Sequence, residues 1–349
     1  MLPAGTYSVD YGTDTAVVRT NLQWGLLIGF LILLFCLPLF LSNYLLAITS
    51  MIAITIVSVM GLNILTGYCG QISLGQAAFM MVGAYTAANL AIKLGMPFWV
   101  TIPAAGIVSA LIGVIIGLPA ARVKGFYLAM VTLGFQFIAT YIVIHAEPLT
   151  GGVHGMMVSP PEVGGLVLDS EASIYYLIMA VTIVMVYLAK NIVRTRAGRA
   201  LIAIRDNDLA AEIMGINLLR HKLLAFAVSS FYAGVAGALW CYYVLFINVE
   251  QFTLMDSIWQ LGMIIIGGMG SIMGAIYGVL FIKLLQEGVI ASTPLLMGVF
   301  PAFKGQMLAA SMLIVFGVIV VLFLVFEPRG IAHRWEILKS WYRLWPFSY

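Results

Sequence analysis

Two glycine-rich interruptions of apolar sequence hold the residues best suited to binding a small solute. The first, residues 66–76 (TGYCGQISLGQ), contains Gly67, Gly70, Gln71, Ser73 and Gln76. The second, residues 267–271 (GGMGS), contains Gly267, Gly268 and Gly270. Each glycine inside a helix costs up to about 1 kcal/mol relative to alanine, so both segments are predicted to break helices. Broken helix ends would expose backbone N–H and C=O groups that can bind a zwitterionic or neutral solute.

Helix packing is a second explanation for both interruptions. Small residues let membrane helices approach closely, and buried polar side chains such as Gln71, Ser73 and Gln76 also form hydrogen bonds between helices. The sequence alone leaves a solute path and close packing both open. The Gly-x-x-Gly spacing that the two interruptions share is compatible with an internal repeat.

Residue patterns typical of enzymes are sparse. Ser73 lies in GQISLG, which lacks the Gly-x-Ser-x-Gly pattern of a nucleophile elbow. No metal-binding spacing links the histidines, which are His145, His154, His221 and His333. The Gly-x-x-x-x-Gly-Lys-[Ser/Thr] phosphate loop is also absent, so any ATP hydrolysis is expected on another chain. We therefore expect a chain that is not an enzyme and holds neither a metal nor a cofactor.

The composition places the chain in a membrane. Hydrophobic residues make up 62% and charged residues 9%, whereas a soluble domain usually carries roughly 25% charged residues. Between Asn21 and Ala121 the only charged residue is Lys93. The net charge of +3 is too small to suggest nucleic-acid binding. Carboxylates are absent from the first five apolar segments, which counts against a proton-coupled pump.

The apolar residues fall into segments long enough to cross a bilayer as helices. At a rise of about 1.5 Å per residue, some 20 residues span a hydrocarbon core of roughly 30 Å. We expect an all-α polytopic protein with about 8–10 transmembrane helices over residues 21–330, preceded by a tail (1–20) and followed by a tail (331–349). The segments are about 22–41, 44–65, 73–93, 98–120, 126–146, 172–190, 223–246, 257–282 and 307–326.

Basic residues predict the orientation, because cytoplasmic loops of membrane proteins are enriched in Lys and Arg. Residues 190–222 hold seven basic residues, and Arg122 and Lys124 lie in another connection, so both regions are expected in the cytoplasm. Residues 147–171 hold four acidic and no basic residues and are expected outside. The basic C-terminal tail is expected inside as well. Nine simple crossings cannot leave both termini inside, so 257–282 is predicted to be broken or re-entrant.

The loop 190–222 is predicted to contain a short amphipathic helix. Leu209, Ile213 and Ile216 follow an i, i+4, i+7 spacing, Asp208 is the expected N-cap, and Glu212 points to another side. Such a helix could dock into a groove on a partner protein. It could equally lie on anionic lipid with the help of the neighbouring arginines.

Residues 196–217 (RAGRALIAIRDNDLAAEIMGIN) resemble the cytoplasmic coupling loop of branched-chain amino-acid ABC permeases. The resemblance extends in order over about residues 60–330, through TGY-x-GQISLG at 66–75, which looks like the LivM-type half of the permease pair. Gln76 stands where relatives often have His. Further similar stretches are GFYLAMVTL (125–133), TGG (150–152), IGGMGS (266–271) and EPRG (327–330).

The resemblance implies one subunit of an importer in a bacterial or archaeal inner membrane. It would translocate branched-chain amino acids or a related small polar solute. The implied partners are a second permease of LivH type, two cytoplasmic ATPase subunits that hold ATP-Mg, and an extracytoplasmic solute-binding protein. Arg205, Ala211, Glu212 and Gly215 would meet an ATPase, and the residues of the two interruptions would line the path. The alternatives are a secondary transporter or facilitator that works alone and a structural membrane scaffold.

Overall fold

The computed structural model describes residues 21–123, 125–163, 166–299, 307–327 and 329–344. The predicted N-terminal tail (1–20), Lys124 and the last part of the predicted C-terminal tail (345–349) lie outside the described residues. The helices are α1 (Asn21–Phe40), α2 (Asn43–Leu62), α3 (Gln76–Leu94), α4 (Phe98–Ala120), α5 (Phe126–His145), α6 (Glu147–Thr150), α7 (Glu171–Arg194), α8 (Arg196–Asp206), α9 (Asp208–Ile213), α10 (Leu218–Val244), α11 (Leu254–Gly267), α12 (Ile272–Val299), α13 (Met307–Phe326) and α14 (Gly330–Leu344).

The described residues also contain four short strands, a π-helical turn (Asn63–Tyr68) and two 3-10 turns (Gly152–His154 and Val249–Gln251). β1 (Met156–Met157) pairs antiparallel with β4 (Phe246–Ile247), with Met156 opposite Ile247. β2 (Glu162–Val163) and β3 (Leu166–Val167) form a second antiparallel pair. The β1–β4 pair joins the loop after α5 to the segment after α10.

The expectation of an all-α polytopic membrane protein is confirmed. Within the described residues, seven helices are long and apolar enough to cross a membrane, and up to eight if α13 and α14, bent by 46°, form one span. The seven are Asn43–Tyr68, Gln76–Leu94, Phe98–Ala120, Phe126–His145, Glu171–Arg194, Leu218–Val244 and Ile272–Ser292. Apolar side chains cover the outer surfaces of these helices, as lipid contact requires.

The segment predicted at 257–282 is two antiparallel helices instead of one. α11 ends at Gly267, α12 begins at Ile272, and α12 continues well past residue 282. The helices pack closely, because a Cβ atom at Gly267 would overlap the Gly274 carbonyl oxygen and one at Gly278 would overlap that of Met263. The predicted break is therefore present between α11 and α12.

α10 lies at the centre of the bundle and packs on α4, α3 and α2. Thr101 at the start of α4 contacts Tyr242 near the end of α10 (Oγ1–Oη 2.6 Å), while Gly117 near the end of α4 lies beside Phe226. The two helices are therefore antiparallel. One end of the bundle carries α8 and α9, and the opposite end carries the β1–β4 pair; we call them the α8–α9 end and the β end.

Backbone contact between α3 and α10 depends on glycine. A Cβ atom at Gly237 would overlap the Met80 carbonyl oxygen, and one at Gly83 would overlap that of Gly234. The helices touch with no side chain between them, which maximises van der Waals contact where lipid gives no hydrophobic driving force.

Replacement of Gly237 by alanine is expected to destabilise the bundle by about 1–3 kcal/mol, because the added methyl group meets backbone that cannot move aside. Thermal unfolding of the purified chain in detergent measures the effect. Gly288→Ala is the control, since a Cβ atom there would have nothing within 4 Å. Equal unfolding temperatures for the two variants would contradict the close approach.

Candidate functional site

The first glycine interruption is a stretch of irregular backbone inside the bundle. α2 ends in a π-helical turn, Asn63–Tyr68, and no helix forms again until Gln76. Gly70 adopts φ +73°, and Gln71 N donates to Leu65 O (3.1 Å), so the chain turns back along α2. Gln76 Nε2 then donates to Ser58 O (3.0 Å). Ser58 lies about 15 Å of helix before the end of the π turn. Because Gln76, the first residue of α3, is bonded to Ser58, α3 begins part way along the bundle.

α11 also begins part way along the bundle, beside the start of α3. Gln136 Nε2, near the middle of α5, donates to Phe252 O (2.9 Å) just before α11. Thr253 and Asp256 close a capping box at the first turn of α11. Ala77 N in the first turn of α3 donates to Ser257 Oγ (2.9 Å). Two helix N-termini, each with a partial positive charge, therefore meet inside the bundle, as in transporters built from discontinuous helices.

Gln76 and Ser73 are held by hydrogen bonds within the chain. Gln76 bonds α2 through Ser58 and accepts from Ser229 Oγ of α10 (3.2 Å), and Ser58 Oγ donates to Gln260 Oε1 of α11 (2.6 Å). Ser73 Oγ accepts from Gly75 N (3.4 Å). The side chains of these residues are buried, and so is Gly75. Of the two explanations left open by the sequence, interhelical bonding describes Gln76, whereas the Ser73 hydroxyl bonds within its own loop.

The two glycine interruptions touch each other through Asn63. Asn63 Nδ2 donates to Ser271 O (2.9 Å), and Asn63 Oδ1 accepts from Gly270 N (3.0 Å). A Cβ atom at Gly67 would overlap Gly270 N. The second interruption also contacts the C-terminal segment, since a Cβ atom at Gly268 would lie 2.9 Å from Arg329 O. Positions far apart in the sequence therefore form one cluster.

Arg205 connects the α8–α9 end to both interruptions. Its Nη1 donates to Gly67 O (3.0 Å), and its Nε and Nη2 donate to Asp206 Oδ1 (3.0 and 2.9 Å). A Cβ atom at Gly270 would lie 2.8 Å from Arg205 Nη1, and one at Gly70 would lie 3.1 Å from Arg205 Cγ. The side chain predicted to meet a partner is thus engaged within the chain.

A cavity of about 340 Å³ opens at the α8–α9 end of the first interruption. Gly70 and Gln71 line it from the interruption, and Arg205 and Asp206 line it from α8. Lys222 of α10 lines it as well and is buried. Two of the predicted path residues therefore border an open space, whereas Ser73 and Gln76 lie in the packed interior.

α9 is the predicted amphipathic helix, with one correction. Its N-cap is Asn207, whose side chain accepts from Ala210 N (3.1 Å), whereas Asp208 was expected there. Asn207 has the extended backbone of an N-cap, and Asp208 already belongs to the first turn. Gly215 adopts φ +84° after the helix, a conformation that favours glycine.

The side chains of α9 divide into an inner and an outer set. Ala211 is only 3% exposed and faces the chain, so it seats the helix. Leu209 and Glu212 are exposed, and Ile213 is 86% exposed. Ala211 was predicted at the partner contact together with Glu212, but of the two only Glu212 is accessible.

Several polar residues of this region were not singled out from the sequence. Asn63 bonds the two interruptions to each other, and Thr253 and Asp256 cap the start of α11. A polar or charged residue within an apolar segment was the available signal, since such residues need partners in a membrane. Within the described residues, no group of three or more His, Cys, Asp or Glu could hold a metal ion.

Replacement of Asn63 by leucine is expected to destabilise the bundle by about 1–3 kcal/mol, because Gly270 N would lose its hydrogen-bond partner and Ser271 O would keep only its bond from Ala275 N. Thermal unfolding of the purified chain in detergent tests this. Asn89→Leu is the matched control, since Asn89 bonds only within its own helix (Nδ2 to Tyr85 O, 2.8 Å). A loss of stability no greater than that of the control would show that the hydrogen bonds of Asn63 contribute little to stability.

The chain is similar in sequence to a family of transport proteins. Residues 44–324 match the family described as branched-chain amino acid transport system / permease component. The high-affinity branched-chain amino acid transport system permease proteins LivM of Salmonella typhimurium and Escherichia coli are each 29% identical over 342 residues, covering 91% of this chain and 76% of the relative. A probable LivM of Methanocaldococcus jannaschii is 24% identical over 320 residues, covering 80% and 90%. No solved structure matches the chain.

Proposed function

The chain belongs to the family of branched-chain amino acid transport system permease components, and on that premise we propose that it forms half of the membrane path of an ATP-driven importer. The solute is a branched-chain amino acid or a related small polar molecule. The relatives named LivM support this assignment, since their similarity extends over 91% of the chain.

The proposal places the energy source and the solute receptor on other chains. Two ATPase subunits hold ATP-Mg in the cytoplasm, a second permease of LivH type completes the path, and an extracytoplasmic protein delivers the solute. The basic loop 190–222 and the C-terminal tail (331–349) face the cytoplasm, the loop 147–171 faces outward, and residues 21–330 form the permease domain. The cytoplasmic side is then the α8–α9 end.

The solute path follows the surface beside the two helix N-termini. Ile72, Thr253 and Met255 are exposed at this depth, although they flank a packed interior. An exposed strip next to irregular backbone suits a path shared with a second permease, because irregular backbone in a membrane must be buried by protein or line a cavity. Gly67, Gly70, Gln71 and the glycines of the second interruption shape this side, and Ser73 and Gln76 support it from behind.

The outer face of α9 is the proposed contact with an ATPase subunit. Leu209 and Ile213 are exposed apolar side chains beside the exposed carboxylate of Glu212. An amphipathic helix of this kind fits an apolar groove on a partner. Gly215 ends the helix, and Ala211 anchors it to the rest of the chain.

The coupling mechanism depends on the contacts of Arg205. This residue lies in the last turn of α8, directly before α9. Its guanidinium donates to Gly67 O, and its side chain packs against Gly70 and Gly270. A movement of α9 driven by the ATPase would therefore pull on both interruptions at once. This rigid connection offers a physical route from ATP hydrolysis to alternating access.

A secondary transporter that works alone is the second candidate, and one feature favours it. Asp256, Lys283 and Glu287 place charges inside the later helices, and Tyr44 Oη donates to Glu287 Oε2 (2.7 Å). Ionisable groups within membrane helices often serve ion coupling.

Reconstitution into liposomes with the partner subunits separates the two candidates. We expect uptake of leucine only when the ATPases, ATP and the solute-binding protein are all present. Ile213→Asp should abolish both ATPase co-purification and uptake by placing a charge in the apolar contact, whereas Ile213→Leu should retain both. Leucine uptake by this chain alone, driven by an ion gradient, would favour the secondary transporter.

Arg205→Gln is expected to lower the solute taken up per ATP hydrolysed by about tenfold or more, since it removes a charge-assisted hydrogen bond to the first interruption. Parallel measurements of uptake and phosphate release in the reconstituted complex give this ratio. Arg220→Gln is the matched control, because Arg220 is an exposed arginine at the same end. An unchanged ratio in Arg205→Gln would exclude the connection as the route of coupling.

A further inference from the structure

Lys222 is a buried cation whose side chain has no partner in the described part of the chain. It is 4% exposed, and it makes no hydrogen bond or ion pair there. Its ammonium group keeps access to the open space of the cavity, where a bound anion would replace water with a charge-assisted hydrogen bond. Lys222 lines the cavity of about 340 Å³, so an anionic group bound in that space would satisfy it.

The other charges around the cavity indicate which kind of anion fits. Arg205 is already bonded to Gly67 O and to the carboxylate of Asp206. Asp206 and Asp208 also line the cavity, so its described lining carries charges of both signs. A simple anion would meet both attraction and repulsion there. A zwitterion, with one charge of each sign, suits such a lining better.

The position and size of the cavity also suit the transported solute. It borders Gly70 and Gln71, at the end of the first interruption that lies farthest from the start of α3. A solute that passes the two helix N-termini towards the α8–α9 end would reach it next. Its volume lies within the range of roughly 300–1,000 Å³ that is common for small-molecule sites.

We propose that this cavity is an exit site in which Lys222 Nζ binds the carboxylate of an amino acid before its release into the cytoplasm. The inference rests on the proposed function. Lys222 is then a solute-binding residue of α10, a helix in which no site residue was predicted from the sequence.

Binding of leucine to the purified complex with its ATPases, without nucleotide or solute-binding protein, tests the site by saturation-transfer NMR. We expect Lys222→Gln to weaken leucine binding about tenfold or more, by loss of the charge-assisted bond, and Lys222→Arg to retain binding. Lys190→Gln is the matched control, because Lys190 is exposed on α7 near the same end. Leucinamide, which lacks the carboxylate, should fail to compete with leucine.

Three outcomes would overturn the proposal: equal leucine binding by Lys222→Gln and the wild type, equal competition by leucinamide and leucine, or competition by inorganic phosphate as strong as that by leucine. The last result would assign the cavity to a phosphate, free or on a lipid headgroup. ATP-dependent leucine uptake by the wild-type complex is measured alongside. If uptake occurs but Lys222 does not affect binding, the exit site fails alone; if uptake is absent, the proposed function fails.

Discussion

Irregular backbone within a membrane must find hydrogen-bond partners inside the protein, because lipid offers none. In this chain the two glycine interruptions leave backbone groups without helical partners, and residues of other helices bond to them. Asn63 bonds the turn between α11 and α12, Thr132 of α5 bonds Leu74 N (2.9 Å), and Ser257 bonds the first turn of α3. Since each partner comes from a different helix, the interruptions also determine how those helices are placed.

The same need for hydrogen-bond partners connects α8 at the surface to the first interruption. Gly67 O lies in the π turn, where the backbone departs from α-helical bonding, and Arg205 donates to it from α8. Glycine is needed on both sides of this contact, because side chains at Gly67 or Gly270 would fill the space that the guanidinium and the turn occupy. Under the proposed function, this closely packed contact would be the link through which movement at the cytoplasmic surface reaches the interior.

Both interruptions were predicted from their glycines, but the roles of their residues were not. Gln76 and Ser73 proved to be internal bonding groups, while Gly70 and Gln71 border the cavity. Whether a polar side chain in a helix faces a cavity or another helix depends on neighbours that the local sequence does not contain. Asn63 was not selected for the same reason, since its partners lie more than a hundred positions away.

A helical membrane protein, helix breaks at two glycine clusters and a short helix in the basic loop could all be predicted from the amino-acid sequence. Composition, segment length and glycine content are local properties, so local reasoning was sufficient for them. Three features became visible only in the folded chain: 257–282 belongs to a helical hairpin, the two breaks meet around Asn63, and Arg205 points inward. Those outcomes depend on long-range packing, where a single buried hydrogen bond such as that from Ser58 to Gln260 joins positions 202 residues apart.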